Sequence, residues 1–227
     1  MKILVNGTSV NIGPHTWPNH LQKKLNCEII NLSRGYAGNT YIHDSTLSEI
    51  SERTYDLVII NWTFFGRADF KTKYLIPPTD EWTVSNPNYH LLQKNWLFGK
   101  QPNDLGEIAN YTDPLIKHHE LVCNNKILSV SNTLTNVISL QSILKSQNIP
   151  YVFSFYFDTH QTFTSRYPRL CQMIDWDHVH PYFLHSIAKN NNWWDDSDND
   201  GHPTEQAHQY YADLLLDHIN TKNLIKS

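Results

Sequence analysis

Cysteine is scarce in this 227-residue chain: Cys27, Cys123 and Cys171 are odd in number and far apart, and no Cys-x-x-Cys pair occurs. That excludes a disulfide framework and a cysteine-built zinc site, and it fits reduced thiols in the cytoplasm. Basic clusters are missing too. The net charge is −4 and Lys and Arg are scattered, so no nucleic-acid partner held by phosphate neutralisation is expected. No apolar run approaches bilayer length, and the start, one lysine and a few apolar residues before Asn6-Gly7, is too short and polar for a signal peptide. The expectation is a soluble cytoplasmic protein without membrane partners. A nucleotide-binding loop at Gly7–Gly13 is disfavoured because the Gly-Lys-Ser/Thr ending is absent. There is no internal repeat and no low-complexity tract.

What is present is an alternation. Ile3–Val5 reads as a strand that stops at the small-residue turn Asn6-Gly7-Thr8-Ser9. Residues 16–25 read as a helix with Thr16 as N-cap and Pro18 in its first turn. Glu28–Asn31 is a second strand, Tyr41–Arg53 a second helix, and Leu57–Ile60 a third strand, apolar throughout as a central parallel strand tends to be. Between Asn61 and about Pro114 the rhythm breaks into prolines and aromatics, which reads as an insertion of loops and short helices. Leu115–Gln147 looks mostly helical, Tyr151–Tyr156 is a strand, short helices are expected over 165–175 and 181–190, and Pro203 to Ile219 is a closing amphipathic helix. Strand–helix alternation predicts a parallel sheet covered by helices on both faces, a single domain over 1–227 with an aromatic-rich insertion at about 62–114.

Three separated pieces fall where such a fold exposes chemistry: NGTS (6–9), SRGYAGNT (33–40) and DGHP (200–203). A serine nucleophile needs a histidine to take its proton and donors to hold the oxyanion. Ser9 suits the nucleophile, His202 the base, Asp200 its orienting partner, and Gly38 a backbone N–H beside that of Ser9. Each piece alone also has a purely structural reading: a turn at Gly35 or Gly38, a helix cap at Asp200 or His202.

Together the pieces resemble the SGNH (GDSL-like) hydrolase family. NGTS resembles its Gly-Asp-Ser block with Thr8 for the Asp. SRGYAGNT resembles the block that supplies the oxyanion glycine, here Gly38, and DGHP resembles the Asp-x-x-His-Pro block. The resemblance implies a three-layer α/β/α sandwich with about five parallel strands in flavodoxin-like order. It also implies an esterase that needs no cofactor or metal and acts through an acyl-enzyme. Two positions depart from the pattern. The family's Gly-x-Asn-Asp block falls on Thr63 and Phe65, leaving Asn61, four residues early, as the nearest oxyanion asparagine. The Asp-to-His spacing is one short, so Asp198, Asn199 and Asp200 all compete to orient His202. Losing a side-chain oxyanion donor costs about 10²–10³ in turnover, so a weak hydrolase or a binding protein on the same scaffold is the alternative.

Other features bear on partners. Asp196, Asp198, Asp200 and Gly201 read as the front of a calcium loop over 196–201, but the bidentate acid expected later is Ala207 and Pro203 interrupts it. Asp177, His178 and His180 lack a third metal ligand of dictated position, and His118-His119 face different ways on a helix. His208 is expected to pack or bond locally. The aromatic insertion suits a mini-core and a pocket wall; Trp62, Phe65 and Arg67 are its candidate contacts to a carbohydrate or other small-molecule ester.

Overall fold

The structure is a computed structural model that describes residues 1–35, 37–65, 69–71, 89–90, 96–99, 126–195 and 202–225. Its centre is a parallel sheet of four strands: β1 (Lys2–Asn6), β2 (Glu28–Asn31), β3 (Leu57–Trp62) and, after the insertion, β7 (Tyr151–Phe155), in the order β2-β1-β3-β7. The expected flavodoxin-like order holds over these four. In the place of a fifth strand there is one isolated parallel bridge, Val179 to Phe153, reinforced by His180 N–H donating to the Phe153 carbonyl at 2.7 Å. The segment cannot lengthen. A 3-10 turn over Trp176–His178 precedes it, and Pro181, which has no N–H, follows.

Period-two alternation divides the sheet's side chains between two layers. Ile3, Val5, Leu57, Ile59 and Val152 face α1 (Trp17–Leu25), α6 (Leu184–Asn190) and α7 (Glu205–Thr221). Leu4, Val58, Ile60, Trp62 and Phe153 face α2 (Asn39–Glu52) and α3 (Lys126–Ser146). The short α4 (His160–Arg166) and α5 (Pro168–Cys171) close that second side with Phe163 and Cys171. Residues 165–175 thus hold the end of one helix and the whole of the next, broken where Pro168 bars its predecessor Tyr167 from helical backbone.

α3 corrects one reading of the sequence. Ile127–Ser146 is long and apolar enough to cross a membrane by length and composition. In the fold its apolar face is a core face, with Val130, Leu134, Val137, Leu140 and Leu144 all fully buried. Residues 115–125 lie outside the described residues. So does most of the insertion, but its described parts are strands and not the expected short helices: β4 (Asp69–Lys71), β5 (Tyr89–His90) and β6 (Trp96–Gly99), antiparallel in the order β4-β6-β5.

The closing helix starts later than expected. Pro203 belongs to a two-residue hairpin of β8 (Trp194–Asp195) with β9 (His202–Pro203), in which Asp195 pairs with His202. Thr204 takes the N-cap, its own N–H bonded to the Trp193 carbonyl at 2.9 Å. This hairpin carries His202 to the carboxyl edge of the sheet.

Candidate active site

β1 ends at Asn6, and the chain must turn sharply at Gly7. A Cβ there would sit 2.1 Å from Asn11 Nδ2 and 2.9 Å from the Asn61 carbonyl, so only glycine fits. Ser9 follows as the first residue of a 3-10 turn, Ser9–Asn11, half-exposed while its neighbours Thr8 and Val10 are buried. Its Oγ lies 3.2 Å from His202 Nε2, a contact across 193 residues of sequence. A separation of that size is within reach for proton transfer from hydroxyl to imidazole.

The turn is held by asparagines that sequence reasoning passed over. Asn6 Nδ2 donates to the Ile42 carbonyl, Ser45 Oγ and Thr46 Oγ1 at 3.1, 2.8 and 2.9 Å. Its Oδ1 accepts from Gly7 N–H at 2.8 Å. Asn11 accepts from Trp17 Nε1 at 2.7 Å and donates to Ser33 Oγ at 3.1 Å, while Asn31 Nδ2 donates to the Asn11 carbonyl at 2.7 Å. Arg34 N–H donates to the Gly7 carbonyl at 3.2 Å. The loops after β1 and β2 are therefore one bonded unit. Asn39, at the start of α2, joins the loop after β3 to it: Oδ1 accepts from Thr63 N–H and Nδ2 donates to the Thr63 carbonyl and to Thr133 Oγ1. The abundance of Asn was the only sequence signal for these bonds.

Gly38 precedes Asn39 within this unit, with an extended backbone (φ −95°, ψ 178°) that does not itself require glycine. Two expectations are corrected. Asn61 is 1% exposed; neither its Nδ2 nor its Oδ1 reaches solvent, and neither has a hydrogen-bond partner among the described residues. A substrate oxyanion cannot touch it in this arrangement. Trp62 is wholly buried, edge-on to Phe153 at 5.5 Å, and offers no surface to a substrate. Phe65 is half-buried and starts a line of rings along the edge: Phe64 at 4.4 Å, then Phe157 at 5.9 Å from Phe64, His185 at 4.7 Å from Phe157, and Trp194 at 5.3 Å from His185. Arg67, Asp200, its competitors Asp198 and Asn199, and the whole 196–201 loop lie outside the described residues.

His208 bonds far from its own helix. Its Nδ1 accepts from the N–H of Trp17, at the start of α1, at 3.3 Å. Burial, with His20 and His202 nearby, pushes its pKa down to about 4, so the ring is neutral near pH 7. His178 pairs with Asp175 at 3.0 Å and His180 is buried apart from it; among the described residues no group of three metal-ligating side chains forms.

No protein-family model matches the sequence, and no curated protein matches it. Solved structures match it nearly end to end. The psychrotrophic esterase EstA from Pseudoalteromonas sp. is 14% identical, with a TM-score of 0.54 and 97% of both chains covered. TesA is 12% identical, with a TM-score of 0.56 over 98% of this chain and 99% of that one. A GDSL-like lipase from Bacteroides thetaiotaomicron is 12% identical, with a TM-score of 0.51 over 97% and 88%. The four-stranded parallel sheet between two helical layers is the fold this chain shares with these solved GDSL-type esterase structures.

Proposed function

We propose that the chain is a serine hydrolase that cleaves an ester on a carbohydrate or other small polar molecule through an acyl-enzyme. The observation that carries this reading is the 3.2 Å approach of Ser9 Oγ to His202 Nε2. His202 takes the Ser9 hydroxyl proton as Oγ attacks the ester carbonyl carbon. The carbonyl oxygen becomes an oxyanion, held by the backbone N–H groups of Ser9 and Gly38. Collapse breaks the ester C–O bond, and His202 returns its proton to the departing alcohol oxygen. Water, deprotonated by the same ring, then attacks the acyl-enzyme and releases the acid and Ser9. General base catalysis of this kind supplies about 10²–10⁴ in rate, and preorganised oxyanion donors a comparable factor.

A second reading is favoured by one observation. The sealed amide of Asn61 leaves no side-chain asparagine donor at the expected place. On that reading the scaffold binds a ligand and turns it over weakly or not at all; calcium at 196–201 would belong to it. A fluorophosphonate probe separates the two. Labelling of the folded protein that disappears in Ser9→Ala supports the hydrolase, whereas a folded protein that never labels favours the binding reading.

A further inference from the structure

A recess of about 430 Å³ opens beside Ser9 and His202, between the Ser9–Thr16 segment and the start of α7. That volume is at the small end of ligand sites and suits one compact ring, not a long chain. Its position relative to the reacting atoms is one-sided. The wall includes His202, Pro203, Glu205 and His208, and does not include Gly38, Phe64 or Phe65. The recess is therefore on the base's side of Ser9, away from the oxyanion glycine and the aromatic line. In ester cleavage the alcohol oxygen must leave from beside the imidazole that protonates it. The half of the substrate facing this recess is the alcohol.

Its chemistry is that of a polyol site. Ile12, Pro14 and Pro203 supply apolar surface, and Ile12 is 47% exposed, a large aliphatic group held open to solvent at the rim. Polar groups share the wall. His15 Nδ1 and Glu205 Oε1 pair at 2.9 Å, and the His15 contact holds the Glu205 carboxyl below its ordinary pKa. His208 is 4% exposed. With its Nδ1 accepting from Trp17 N–H, the neutral ring carries its one proton on Nε2, a fixed donor in the recess wall. Apolar faces with a few fixed donors and acceptors are what a sugar ring requires.

We propose that this recess is the subsite for the leaving alcohol, and that it takes a single polyol ring, such as an acylated monosaccharide, whose hydroxyls meet His208 Nε2–H and the His15–Glu205 pair. The proposal rests on Ser9 and His202 acting as the hydrolytic pair. The test compares kcat/KM on a mono-O-acetylated methyl glycoside with kcat/KM on methyl acetate, whose alcohol is too small to reach the far wall. His208→Asn keeps an acceptor for Trp17 N–H and removes the distal donor. Ile12→Trp fills the recess from an exposed position. The expected result is that each variant lowers the glycoside-to-methyl-acetate ratio about tenfold, the worth of roughly one hydrogen bond or one lost pocket contact. A ratio unchanged in both variants overturns the subsite while Ser9 labelling by the fluorophosphonate still stands. Wild-type protein that cleaves methyl acetate but not the glycoside overturns the polyol assignment. Absence of labelling in the folded wild type overturns the hydrolase reading and the subsite with it.

Discussion

Asn39 grips both polar groups of the Thr63 backbone, its Oδ1 taking the Thr63 N–H at 2.9 Å and its Nδ2 reaching the Thr63 carbonyl at 3.1 Å. Thr63 stands where the sequence resemblance places a glycine, at the exit of β3. The loop that departs most from the family pattern is thus tied by a side chain from α2 to the segment that carries Gly38. A strand-like pair of bonds made by one side chain fixes position and orientation at once, which is what an oxyanion site needs from its scaffold.

Asn39→Ala strands a buried Thr63 N–H and carbonyl and releases Thr133 Oγ1. Unfolding in urea should show a loss of about 2–4 kcal/mol, the cost of orphaning buried polar groups. Asn39→Asp fares no better, because a carboxylate oxygen then faces the Thr63 carbonyl. A loss under about 0.5 kcal/mol in both variants, the range of ordinary surface changes, contradicts this account.

Gly7→Ala tests the turn itself. The added methyl meets Asn11 Nδ2 at 2.1 Å, and the backbone carbonyl of Asn61 behind it cannot swing aside. Asn11 must move, and with it the bonds to Trp17 Nε1 and Ser33 Oγ. We expect a destabilisation of about 2–4 kcal/mol from overpacking and broken bonds together, with labelling of Ser9 slowed in the fraction that folds. An alanine variant with the wild-type denaturation midpoint refutes the close approach.

Acid should destabilise the fold through buried histidines. His180 has neither ring nitrogen bonded among the described residues and packs against the rings of Tyr182, Tyr211 and His218; burial, then the charge of His218, push its pKa down to about 3. His208 sits at about 4. Both folded values lie below the unfolded value of about 6.5. The unfolded chain therefore binds more protons between those limits, and the stability these rings contribute is whole above about pH 6.5 and lost as pH falls toward 4. Each ring accounts for about 2 kcal/mol between pH 7 and pH 5. His180→Phe suits the aromatic surroundings and removes one titrating group, so the variant should lose about 2 kcal/mol less than wild type over that interval. Equal pH slopes in urea unfolding of variant and wild type would falsify the assignment to His180.

The sheet was legible because β1, β3 and β7 are near-continuous apolar runs separated by amphipathic helices, a pattern set by burial on both faces. The fifth strand was not, since nothing in the residues around Val179 shows that pairing stops after one bridge. The pairing of Ser9 with His202 was suggested by the order of short blocks, each uninformative alone, and the fold brings the two side chains to 3.2 Å. Trp62 was misread as a pocket residue although strand parity places it with Val58 and Ile60, against α2 and α3. The same parity sets Asn61 with Leu57 and Ile59 on the opposite face. The asparagine bonds at the sheet edge were invisible for a different reason. Most of their partners are 20 or more residues away in sequence and several are backbone atoms, so no local pattern of residue types encodes them.

Asn61 decides how many donors the oxyanion site has. As an oxyanion donor, its loss would reduce kcat by about 10²–10³. Its burial argues otherwise: both amide atoms are sealed from solvent and bond to nothing among the described residues. Asn61→Leu keeps the branched shape and removes both unpaired polar atoms. Replacing an unsatisfied buried amide by an apolar group of similar shape is neutral or stabilising, by up to about 1–3 kcal/mol, less whatever the larger methyl groups cost in crowding. The expected variant therefore unfolds at the wild-type urea concentration or above it, and hydrolyses methyl acetate within a few-fold of wild type. A hundredfold drop in kcat with an unshifted urea midpoint would instead mean that the Asn61 amide turns toward the substrate during the reaction, and that the site works with three donors and not two.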